Sequence, residues 1–170
     1  MRRLVILRHA KAVPHGAAPD FDRALAGRGI EDAAAVGRYL AEEQILPDLA
    51  LVSPALRTRQ TWEGAAPALG GVAVQFEDAI YDASATTLLH LVRKVAPSVR
   101  TLVVVGHNPG MAQLARDLVG HGDRYAFARL KTKFPTAALA VLDFAVDDWS
   151  ELNHGGGRLD RFVTPGGDDD

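Results

Sequence analysis

The sequence predicts a three-layer α/β/α sandwich with a mostly parallel central sheet, and three observations predict it. Short apolar runs alternate with stretches of helical periodicity along the chain. Three of those runs end directly in Arg8-His9, in Ser53-Pro54 and in Gly106-His107, as loops at strand ends do. The chain has 170 residues, 48% of them hydrophobic and 24% charged, enough for one sizeable core.

The first strand is the apolar run 4–7. A loop over 11–22, KAVPHGAAPDFD, carries two prolines and a glycine. A helix is expected over 24–44, because Ile30, Ala33, Gly37, Leu40 and Ala41 recur at spacings of three and four; Pro47 stops it. A second strand follows at 49–52. Ser53 suits a helix cap and Pro54 a first turn, opening a helix over 55–66. Gly70-Gly71 break the chain before a third strand at 72–76. Ser84 or Ala85 opens a helix that ends before Pro97, with Leu88, Leu89, Val92 and Val95 inward. The strongest strand signal is 101–105, followed by GHNPG and a helix over 111–119. A strand is expected over 137–144, then a closing hairpin of 149–152 and 158–162 around Gly155–Gly157. One domain over 1–165 and a disordered acidic tail over 166–170 complete the prediction.

Composition narrows the function. A formal net charge of -2 gives no broad basic surface for nucleic acid. The absence of cysteine excludes disulfides, thiolate chemistry and cysteine-held metals. The N-terminal apolar run is too short for a secretory signal, and no stretch approaches a membrane span. A soluble, cytoplasmic protein is expected, without nucleic-acid or membrane partners. In open parallel sheets, sites form beyond the carboxyl ends of strands. Arg8, His9, Arg57 and His107 fall at that address and would line one anion pocket.

LRHA, SPALRTRQT and VVVGHNPG resemble, in order, the three signature segments of the histidine phosphatase, or phosphoglycerate mutase-like, superfamily. The short chain, LRHAKA, GHNPG and KFPTAALAVL are similar to its SixA-like branch of protein phosphohistidine phosphatases. The resemblance implies a phosphoglycerate mutase-like fold and a phosphatase with no metal or cofactor. It implies His9 as nucleophile, carrying a transient phosphoryl group, with Arg8, Arg57 and His107 gripping the phosphoryl oxygens. Asn108 and Lys11 are further candidates for substrate contact, and a helix cap is the other reading of Asn108. Larger relatives use a Glu downstream of the second strand; the corresponding region here, 74–81, offers Glu77 or Asp78 as the candidate general acid. A phosphohistidine leaving group can carry its own proton, so that branch can act without one. The expected partner is a phosphorylated protein, such as a phosphohistidine signalling or phosphotransfer domain. The alternatives are a small-molecule phosphomonoesterase, on a sugar phosphate or nucleotide, and a non-catalytic phosphate-binding module. Thr61 and Trp62 read as packing, and Arg116 and Arg124 as solvated. His15 reads as a surface loop residue, and His90, His121 and His154 as surface or structural.

Overall fold

Side-chain alternation along the first strand decides the architecture. In β1 (Arg2–Arg8), Leu4 and Ile6 point into one core and Val5 and Leu7 into another, all fully buried. A strand apolar on both faces needs a helical layer on each side. The structure is a computed structural model describing residues 1–165; the expected tail at 166–170 lies outside the described residues.

The chain continues through α1 (Gly27–Glu42), β2 (Leu49–Val52), α2 (Leu56–Ala65), β3 (Ala73–Phe76), α3 (Ala85–Arg93), β4 (Thr101–Gly106) and α4 (Gly110–Leu118). It closes with β5 (Val119–Gly122), α5 (Arg124–Thr132), β6 (Leu139–Phe144) and β7 (Gly157–Val163). The sheet order is β3-β2-β4-β1-β6-β7-β5. Pairings are parallel except those of β6 with β1 and with β7, so β6 alone among these strands runs against the rest. Helices α1 and α2 cover the face of Val5 and Leu7 through Ala33, Val36, Leu40, Trp62 and Ala65. Helices α3, α4 and α5 cover the opposite face through Leu88, Leu89, Val92, Met111, Leu114 and Leu130. This is the predicted α/β/α sandwich.

Gly37 lets α1 and α2 touch. A Cβ there would lie 2.2 Å from the Ala65 carbonyl oxygen, so any side chain would force the helices apart.

Four local expectations are corrected. Ile30 is 60% exposed, because Gly29, Ala33, Val36, Gly37 and Leu40 form the buried stripe of α1. The closing hairpin does not form: Trp149–Glu151 is a 3-10 turn, and β7 pairs with β6. Trp149 is fully buried with its Nε1 donating to the Val99 carbonyl at 2.7 Å, which commits that segment to packing under α3. Strand β5 and helix α5 were not anticipated. VGHG lacks apolar alternation, and α5 buries only Ala126 and Leu130. Arg116 is half-buried rather than solvated, and its Nε ties α4 to the Leu130 carbonyl at 3.0 Å.

Candidate active site

Strands β1, β2 and β4 lie side by side, with Arg8 level with Gly106 and Val52 level with Val105. Their carboxyl ends therefore deliver His9, Ser53 and His107 to one edge. The ladder persists one step further: the His9 N–H donates to the Gly106 carbonyl and the Ser53 N–H to the Val105 carbonyl, each at 3.1 Å. The His9 carbonyl accepts from the Ala137 N–H at 3.0 Å. Ala137 has φ 61°, a left-handed conformation uncommon for alanine, which suits a backbone bent to meet the strand end.

His9 is 8% exposed. Its Nδ1 lies 2.7 Å from the Ala10 carbonyl oxygen. A carbonyl can only accept, so Nδ1 carries the hydrogen and Nε2 keeps its lone pair. Burial pushes the imidazole down to about 3 against the Ala10 bond, and the charges of His107, Arg8 and Arg57 push the same way. His9 is therefore neutral at physiological pH. The His107 ring stands 5.4 Å away, centroid to centroid. It too is lowered, to about 4, by burial first and then by Arg57, with Asp20 opposing. His107 Nε2 hydrogen bonds Ser53 Oγ at 2.8 Å. Ser53 is fully buried and is not the helix cap; the capping position belongs to Ala55, which lacks a side-chain bond.

Arg57 sits in the first turn of α2 and is 5% exposed. Its Nη1 donates to the Asp20 backbone carbonyl at 2.7 Å and its Nη2 to Asp20 Oδ2 at 3.1 Å. Arg57 Nε and His107 Nδ1 are buried polar atoms with no hydrogen-bond partner among the described residues. Such groups are expensive to leave unmet, and an incoming oxyanion could satisfy both. Arg8 Nη1 donates to the Phe134 carbonyl at 3.1 Å. Asn108 Nδ2 donates to the same carbonyl at 2.8 Å, while its Oδ1 accepts from the Ala112 N–H at 3.2 Å. Asn108 thus ties the start of α4 to the loop before β6, the capping reading.

The remaining candidates lie as follows. Lys11 is half-buried, and its carbonyl accepts from the Ala26 N–H at 2.9 Å. Glu77 is half-buried in a groove with Asp48, Leu49 and Gln75, and Asp78 is exposed. The turn they occupy places Tyr81 in the site instead: the Asp78 carbonyl accepts from the Tyr81 N–H, and the Tyr81 ring packs edge-on against His107 at 5.5 Å.

Asp20 is the residue that the sequence did not signal. It accepts from Arg57, from Arg23 Nε at 3.1 Å and from the Tyr81 hydroxyl. The Tyr81 bond, then Arg57 and Arg23, hold its carboxyl well below the usual carboxylate range against the pull of burial. Thr61 does more than pack. Its Oγ1 accepts from the Ala10 N–H at 3.0 Å and donates to the Arg57 carbonyl at 2.7 Å, joining the segments that carry His9 and Arg57. Thr61→Val leaves a buried N–H unmet and is expected to destabilise by about 1–3 kcal/mol. Equal midpoints for variant and wild type in urea unfolding would remove that role.

The histidines also predict a pH dependence of stability. Both folded-state values lie below the unfolded 6.5. As pH falls through 6.5, the unfolded chain takes up protons that the folded site refuses. Stability is expected to fall by about 1.4 kcal/mol per pH unit per imidazole, easing as the folded values of about 4 and about 3 are reached. Urea unfolding across pH 7 to 4 checks this, and His107→Gln should flatten the slope.

Neutral imidazole beside fixed guanidinium, at the strand ends of a parallel sheet, equips a protein to handle phosphoryl groups. The family model of the Histidine phosphatase superfamily (branch 1) matches residues 4–86. An uncharacterized protein of Mycobacterium tuberculosis is 36% identical over 165 residues, covering 94% of this chain and 99% of its own length. A structure from Agrobacterium tumefaciens, described as a candidate phosphohistidine phosphatase SixA, is 33% identical with a TM-score of 0.81, covering 96% of this chain and 98% of that one. Another candidate SixA, from Nakamurella multipartitia, is 29% identical with a TM-score of 0.86, covering 98% of this chain and 97% of that one. The chain belongs to the histidine phosphatase superfamily, and two structures described as candidate SixA phosphohistidine phosphatases resemble it over nearly all of its length.

Proposed function

We propose that the protein hydrolyses protein phosphohistidine through a covalent phosphoryl group on His9, without a metal. One observation carries this reading: the Ala10 carbonyl holds the hydrogen of His9 on Nδ1, leaving a neutral Nε2 free to attack. Nε2 forms a bond to phosphorus as the substrate's P–N bond breaks, and the electron pair leaves with the substrate imidazole. Water then attacks the phosphoryl group, the His9 N–P bond breaks, and inorganic phosphate departs. Arg8, Arg57 and His107 hold the phosphoryl oxygens, and Lys11 adds positive potential at the rim. Asn108 fixes the loop that orients Arg8. Asp20 is ionised and Asp78 is solvent-exposed, which fits a substrate whose leaving group needs no donated proton. The likeness to structures described as candidate phosphohistidine phosphatases supports a phosphorylated protein as partner; the partner in this reading is a phosphohistidine signalling or phosphotransfer domain, met in the cytoplasm.

The test is phosphate release from a phosphohistidine-bearing protein in the presence of EDTA. Release unaffected by the chelator is the expected result. Hydrolysis of p-nitrophenyl phosphate alone would make the protein a small-molecule phosphomonoesterase, and phosphate binding with no turnover of either would make it a binding module.

A further inference from the structure

We propose that Asp20, flanked by Phe21 and Tyr81, is a leaving-group subsite that accepts the ring N–H of the departing histidine. The inference rests on the phosphohistidine reading above.

Four observations place the subsite. The Asp20 carboxylate belongs to the cationic pocket through Arg57 but is still 41% exposed. The backbone around it is held in place: Arg57 grips the Asp20 carbonyl, and Arg23 Nη1 grips the Val13 carbonyl at 2.8 Å. An aromatic wall leads outward from the pocket. Tyr81 packs edge-on against His107, and Phe21, 39% exposed, packs edge-on against Tyr81 at 5.2 Å. Finally, an imidazole already faces the carboxylate. His15 Nδ1 stands 3.8 Å from Asp20 Oδ1, on a side chain that is 84% exposed. A ring so loosely held can yield its place to another of the same chemistry.

The chemistry gives that carboxylate a task. In phosphohistidine, one ring nitrogen bears phosphorus and the other can bear hydrogen. When the P–N bond breaks, the electron pair stays on the first nitrogen. A ring protonated on its second nitrogen leaves as neutral imidazole, whereas an unprotonated ring must leave as an anion. A carboxylate accepting that distal N–H keeps the proton in place during departure. Asp20 thereby replaces a general acid without giving up a proton. The same negative charge repels anionic leaving groups, including carboxylate-bearing phosphate esters.

The experiment compares kcat/KM for a phosphohistidine peptide and for p-nitrophenyl phosphate, whose phenolate leaves without a proton. Asp20→Asn should lower the ratio of the two at least tenfold, and Asp20→Glu should restore part of it. An equal fall on both substrates would overturn the subsite and leave Asp20 as a positioning residue for Arg57. If Asp20→Asn does not fold, His15→Ala gives the second reading. Removing the competing ring should lower KM for the peptide more than for the ester, and equal effects would overturn the proposal. Wild-type protein that hydrolyses the ester but not the peptide would instead overturn the phosphohistidine reading itself.

Discussion

His9→Ala is expected to abolish turnover while leaving oxyanion binding largely intact. The neutral Nε2 is the nucleophile of the proposed mechanism, and alanine offers no atom to take its place. Loss of a covalent nucleophile costs at least about 10³-fold in rate. Binding should survive, because Arg8, Arg57 and His107 remain and His9 contributes no charge. The neutral state follows from its burial and from neighbouring cations that further disfavour protonation. Two measurements check this: phosphate release for turnover, and calorimetric titration with inorganic phosphate for binding. Acid-labile, base-stable radiolabel should attach to wild type and not to the variant. Release by His9→Ala at wild-type rate would move the nucleophile elsewhere.

Arg57→Ala is expected to weaken both turnover and oxyanion affinity, by roughly 10²–10³-fold in rate. The guanidinium is almost fully buried and bridges to Asp20 through two nitrogens, so its fork is set before any ligand arrives. Its removal also leaves the Asp20 carboxylate with Arg23 as its remaining arginine partner, which adds repulsion to the loss of a donor. Arg57→Lys should therefore recover little, since an ammonium cannot reproduce the planar, two-pronged contact. Adding Asp20→Ala to Arg57→Ala should restore part of the phosphate affinity. Wild-type affinity in Arg57→Ala would place the residue outside the site.

The parts of the fold that were legible in the sequence are those with strong local patterns. Strands β1, β2 and β4 are apolar on both faces, so each stands out as a run, and each ends at the polar residue that enters the site. The sequence alone thus brings His9, Arg57 and His107 together. It does not do so for Asp20 and Tyr81. They are 61 positions apart and meet only after the first loop folds across α2, and neither belongs to a periodic segment. Ser53 misleads for a related reason. Ser-Pro before a helix is a capping signal, yet in the folded protein the hydroxyl has a more distant partner, His107, 54 residues on. Helix α5 was missed because its buried positions are two small footholds among basic residues.

That Ser53 hydroxyl has a kinetic consequence. It can donate to a neutral His107 Nε2 or accept from an Nε2 that carries hydrogen, with the oxygen and nitrogen 2.8 Å apart in either case. An arriving dianion favours the protonated ring, which reverses the direction of that bond. The reversal needs rotation about one C–O bond and no movement of heavy atoms. The rearrangement that accompanies uptake of that proton is therefore a rotor's motion rather than a loop's. The pocket's electrostatic response to substrate is then limited by proton supply, and not by the motion of its walls.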